Sequence, residues 1–136
     1  MKVILSVLLL FPLVLFSQEF LKLTEQGKST EKIYEEVDQE ATFPGGAVEM
    51  MKYLNKTIVY PETSMENGEQ GKVFVEFVVN SNGSISEIKI IRGVSKRLDI
   101  EAIRVVTLMP NWSPAEVDGE KVRSYARLPI NFVLSE

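Results

Sequence analysis

The sequence has no cysteine and no histidine. Disulfides, cysteine nucleophiles, histidine-based triads and the usual zinc, iron and copper ligands are therefore excluded. A basic surplus is missing too. With 19 acidic and 15 basic residues the formal net charge is -4, whereas nucleic-acid binding draws its affinity mainly from Lys and Arg on phosphates. A protein or peptide partner is expected instead of nucleic acid. Long apolar runs are also scarce: Val3 to Phe16, 14 residues interrupted by Ser6 and Pro12, stands apart from the rest of the chain. It falls short of the ~20 residues that span a bilayer as a helix.

Lys2 precedes that run, and Ser17 and Gln18 follow it. This is the pattern of a secretory signal peptide over residues 1–18, cleaved near Gln18 or Glu19; retained, the same stretch is a short anchor. No cysteine follows to carry a lipid. Residues 19–40 read as an acidic, solvated lead segment, with one short extended piece around Ile33, Tyr34 and Val37. Acidity is concentrated in the front of the chain: residues 19–70 hold 11 acids and 5 bases, residues 71–136 hold 8 and 9. One domain is left, residues 41–136, within the size of a single core.

In that domain Ala47, Met51, Leu54 and Ile58 recur at helical spacing after Pro44-Gly45-Gly46. Pro61 to Glu66, closed by Asn67-Gly68, suits a second short helix. From Gly71 to Val79 alternation at a period of two marks a strand, and Asn80 to Gly83 is turn chemistry. The next strand, Ser84 to Arg92, changes its inward parity between Ile85 and Ile88, which places a bulge near Ser86 or Glu87. Leu98, Ala102, Val105, Val106 and Met109 form another helical stripe, with Ser95 as its cap and Pro110 as its stop. Asp118-Gly119 turns Ala115–Val117 back onto Glu120–Val122. In the last strand Ala126, Leu128, Ile130 and Phe132 face one side, and Arg123, Tyr125, Arg127, Pro129 and Asn131 face the other.

These elements predict an α+β fold with a three-stranded antiparallel sheet in the order 2-1-3 and a crossover helix over one face. Pro129 places the third strand at an edge, because it has no N–H to give to a ladder. The outward backbone groups then belong to Arg123, Tyr125, Arg127, Pro129 and Asn131, an edge to which an extended peptide adds as a further strand. The arginines serve equally well as charges that keep an open edge from aggregating. Glu35, Glu36, Asp38 and Glu40 lack the apolar surroundings that separate an acid from a base. No nucleophile and base pair is recognisable, so neither an enzyme nor a cofactor or metal site is expected. Trp112, between Pro110 and Pro114, is read as a core residue.

The series Phe43-Pro44-Gly45-Gly46, Tyr60-Pro61, Gly71 to Val79, Asn82-Gly83, Leu98-Asp99, Met109-Pro110 with Trp112 and Pro114, Asp118-Gly119, and Leu128-Pro129 with Phe132 and Leu134 resembles the TonB C-terminal domain family. The likeness runs from about Val37 to Leu134 and implies a three-stranded antiparallel sheet with two helices on one face. It implies envelope work in the periplasm: binding the TonB box, a short extended segment of an outer-membrane transporter, with force supplied by the ExbB and ExbD motor. It adds Tyr60 and Pro61 as candidate contacts, although ordinary packing at a helix joint explains Tyr60 equally well. Two departures stand out. The family's anchor histidine is missing, and the 25 residues from Gln18 to Thr42 reach only ~85 Å at ~3.4 Å each, short of a full force-transmitting arm. A structural role in the envelope, with the edge closed by the lead segment or in a homodimer, is the other reading.

Overall fold

The protein's structure is a computed structural model that describes residues 31–135. The signal-peptide reading of residues 1–18 and most of the lead segment lie outside the described residues. The elements in chain order are β1 (Ile33–Tyr34), α1 (Ala47–Thr57), α2 (Glu62–Glu66), β2 (Gly71–Val79), β3 (Ile85–Arg92), α3 (Lys96–Thr107), β4 (Ala115–Val117) and β5 (Glu120–Phe132).

β3, β2 and β5 lie side by side and antiparallel, in the order the crossover rule predicts. The three-stranded antiparallel description nevertheless needs correcting. β1 pairs parallel to β5, with Ile33 opposite Arg123 and Tyr34 opposite Ser124, so the sheet is mixed and β5 is an inner strand at this point. β4 pairs with the start of β5 across the Asp118-Gly119 turn, whose two residues both have positive φ (51° and 78°). Among the described residues there are three helices, at the three helical segments read in the sequence, where the resemblance implied two. The compact unit begins at Lys32, because Gln39 and Thr42 bridge to Glu116 and Ser113 and hold the end of the lead segment to the domain.

The expected bulge is present. Glu76 is opposite Lys89 and Val78 opposite Ser86, which leaves Glu87 and Ile88 facing the single Phe77, with Glu87 at φ 51°. A second register shift follows between Phe74 and Val75. These shifts bend β3 and turn Ile85, Ile88 and Ile90 onto the core.

Alternation puts Val73, Val75, Phe77 and Val79 of β2 on the face that carries Leu128, Ile130 and Phe132 of β5. α3 lays Leu98, Ala102, Val105 and Val106 on this face, capped by Ser95 Oγ, which accepts from the Leu98 N–H. α1 adds Leu54 to the core, and its Tyr53 hydroxyl donates to the Val105 carbonyl at 2.7 Å, tying α1 to α3. Each of the large side chains removed from water contributes roughly 1.5 to 3 kcal/mol. Trp112 closes the core as expected, with the rings of Phe43 and Phe77 edge-on to it at 6.0 and 5.2 Å.

Glu101 is an acid in this core, only 7% exposed. Burial alone would push its carboxyl up. The Arg104 guanidinium, at 2.6 Å, and the Val59 N–H, also at 2.6 Å, outweigh burial and hold it below the usual range. A carboxylate depressed by folding stabilises the fold above its unfolded pKa, and that contribution is lost as pH falls through the folded value. Glu101→Gln is therefore expected to flatten the acid limb of a plot of Tm against pH. An acid limb identical to that of the unaltered protein would rule Glu101 out as its source.

Candidate functional site

Pro129 lies opposite Phe74 of β2. Having no N–H, it belongs to the set of β5 residues whose backbone groups point away from β2, and by alternation Arg123, Tyr125, Arg127 and Asn131 share that direction. β1 covers the start of this outward side, with Ile33 and Tyr34 in register with Arg123 and Ser124, and its pairing ends there. From there to Asn131, no strand or bridge among the described residues pairs with it.

The side chains of this outward set have different fates. Arg123 is committed to the fold: 6% exposed, it donates from Nε to Asn80 Oδ1 at 2.8 Å and pairs with Glu87 at 3.5 Å, pinning the β2–β3 turn. Arg127 is half-exposed and lies directly across from Glu76, which in turn lies across from Lys89. A row of alternating charge thus crosses three strands, with Arg127 Nε 2.9 Å and Lys89 Nζ 3.2 Å from the Glu76 carboxylate. The other side of the Arg127 guanidinium donates to Glu35 at 3.2 Å, and its face lies 5.9 Å from the centre of the Tyr125 ring. Glu35 first, and Glu76 behind it, raise the Arg127 pKa further above its ordinary value.

Between this part of β5 and the chain that follows β1 is a cleft of about 400 Å³. Ser124 to Leu128 form one wall. Glu35, Val37, Glu40, Ala41 and Met50 form the other, with Trp112 among the lining residues. Strand parity singles out Tyr125 and Arg127 from the first wall and assigns Ala126 and Leu128 to the core face; the second wall has no counterpart in the sequence reading, since the acids of residues 35–40 read as plain solvated charge. Val37, flagged as part of an extended piece, was the one available signal.

Tyr60 and Pro61 are elsewhere. The Tyr60 ring is edge-on to Phe132 at 5.7 Å, its hydroxyl donates to the Glu69 carbonyl, and burial raises its pKa; Pro61 precedes α2. Phe132 is seven residues beyond Tyr125, or ~24 Å of strand. Phe132 faces the core and Asn131 the opposite side, so Tyr60 and Pro61 stand apart from the outward set of β5. Among the described residues no group of acids is placed to hold a metal ion, and no helix is long and apolar enough to cross a membrane.

Comparison with known proteins agrees with this architecture. No curated protein matches the chain. Two solution structures of the C-terminal domain of Helicobacter pylori TonB are similar. One is 22% identical over 68% of this chain and 88% of its own, with a TM-score of 0.50. The other, a shorter version, is 23% identical over 65% and 94%, with a TM-score of 0.47. The model of the Gram-negative bacterial TonB protein C-terminal family matches residues 56–134, from the end of α1 through β5, and with more than half of the sequence so matched, this chain belongs to the TonB C-terminal domain family.

Proposed function

We propose that this chain is a periplasmic TonB-like module that takes an extended segment of an outer-membrane transporter onto the outward side of β5, in TonB-dependent transport or its regulation. The observation that supports this is the stretch of β5 beyond Ser124, with outward backbone groups and no paired strand among the described residues, next to a cleft. Main-chain hydrogen bonds give such a partner its affinity, and side chains on alternate positions give selectivity. Tyr125, Arg127, Pro129 and Asn131 line the edge and Arg123 fixes its start, while Tyr60 packs on the core side of Phe132, just past Asn131. Residues 1–18 are the export signal in this reading, so intact-mass analysis of the exported protein is expected to find a start near Gln18 or Glu19. Full-length chain in the inner membrane would replace it with an anchored form.

Purified chain starting at Glu19 is expected to recover an outer-membrane transporter from envelope extract. Two proline substitutions test the edge. Asn131→Pro removes an outward N–H and is expected to weaken capture while Tm changes little. Ala126→Pro removes an N–H aimed at β2, opposite Phe77, and is expected to unfold the sheet. Capture that survives Asn131→Pro unchanged argues against strand addition along this stretch.

One observation favours a second reading. β1, drawn from the lead segment, already covers the start of the edge, as it would in a scaffold domain of the envelope whose edge is closed by its own chain or by a second copy. Failure to recover any transporter, with a stable dimer in solution, would support that role.

A further inference from the structure

The contacts of residues 32–42 are uneven. At the back the segment is held firmly: the Asp38 N–H donates to the Glu116 carbonyl at 3.0 Å, Asp38 Oδ2 accepts from the Asp118 N–H at 2.8 Å, and Thr42 and Ser113 exchange backbone bonds at 3.0 and 2.9 Å. At the front its contacts include the two-residue pairing of Ile33 and Tyr34, the Lys32 ammonium 4.5 Å from the centre of the Tyr34 ring, and the Glu35–Arg127 ion pair, whose side chains are 60% and 49% exposed. Exposed ion pairs are weak, and so are two-residue strands. The front therefore lifts far more easily than the back.

Arg127 does not need Glu35 to keep its place. Glu76, 8% exposed, holds its Nε from within the sheet. When Glu35 leaves, a guanidinium oriented by a buried carboxylate is left facing outward beside the cleft, with its bidentate donors ready for another carboxylate.

Resting on the peptide-binding reading above, we propose that Ile33–Glu35 is a built-in occupant of the β5 edge, latched by Glu35 on Arg127, and that the segment which displaces it is an extended one bearing its own carboxylate for Arg127. The chain's own front segment is then a template for its ligand. Selectivity lies in that one carboxylate, and affinity is reduced by the fraction of time the edge is covered.

The test uses the exported chain and, as probe, a labelled synthetic peptide with the sequence of residues 31–38. The unaltered chain is expected to bind it weakly. A Tyr34→Pro, Glu35→Gln chain, in which the resident strand is released, is expected to bind it about tenfold more tightly. A probe carrying Glu35→Gln is expected to lose most of that gain. Equal affinity of both chains for the probe overturns the proposal, and so does indifference to the probe's carboxylate.

Hydrogen exchange gives a second reading that needs no ligand. Glu35→Gln is expected to speed exchange at Ile33 to Glu35 while the amides of Asp38 and Thr42 keep their rates; unchanged exchange throughout overturns the latch. Success with this probe and no transporter from envelope extract would leave the latch standing and sink the transporter reading. The reverse outcome sinks the latch alone.

Discussion

Replacing Trp112 by alanine is expected to cost ~3 to 5 kcal/mol. The indole is 9% exposed and is met edge-on by Phe43 and Phe77, so truncation leaves a cavity between the segment before α1 and the middle of β2. For a domain of about 100 residues this corresponds to a fall in Tm of roughly 15 °C or more. Thermal denaturation followed by circular dichroism measures it. Trp112→Phe keeps most of the ring volume, and it also removes an indole Nε1–H that has no hydrogen-bond partner among the described residues, so it is expected to be much milder. A Trp112→Ala variant that melts with the unaltered protein would place the side chain outside the core and leave the fold without its lid.

The second large effect comes from an atom that is absent. Gly83 in the β2–β3 turn has φ +89°, and a Cβ there would be 2.2 Å from the Trp112 carbonyl oxygen. The two backbones approach closely because the Trp112 N–H donates to the Gly83 carbonyl at 2.8 Å. Gly83→Ala therefore meets both a left-handed backbone penalty and a backbone clash, together roughly 2 to 4 kcal/mol. Gly119, also at positive φ but with nothing within 4 Å of its missing Cβ, separates the two causes. Gly119→Ala is expected to cost only the conformational part, ~1 to 2 kcal/mol. Equal losses at the two sites would mean that the approach to Trp112 carries no energy.

What could be read in advance followed the range of the interaction. Ser95 as a cap, Asp118-Gly119 as a turn and the parity change near Glu87 are local, each decided within a few residues, and each is found as expected. The order of β3, β2 and β5 followed from a general rule about crossovers. β1 was legible as a short extended piece around Ile33, Tyr34 and Val37; its pairing was not, since two residues are too few to set a register and the partner is 90 positions away in sequence. Arg123 and Arg127 share parity and chemistry, yet one is buried on Asn80 and Glu87 while the other is half-exposed between Glu76 and Glu35. That difference depends on which residues lie across the sheet, and nothing near either arginine in the sequence encodes it. The outward edge was legible through Pro129 alone. Its opposing wall was not, because acids on a packed strap and acids in free solution have the same composition.

The two borders of the sheet are unlike, and the difference limits the kinds of strand addition the sheet can template. β3 forms the far border, and its two register shifts, with Glu87 at φ 51°, break the even row of outward groups that a neighbouring strand needs. If β5 of one molecule docked on β3 of the next, the contact would be head-to-tail and would repeat without end. The kinked border denies that contact its template, whereas β5 meeting β5 closes after two molecules. Among the described strands, the border opposite β5 therefore offers no regular template on which a head-to-tail stack of strands could grow.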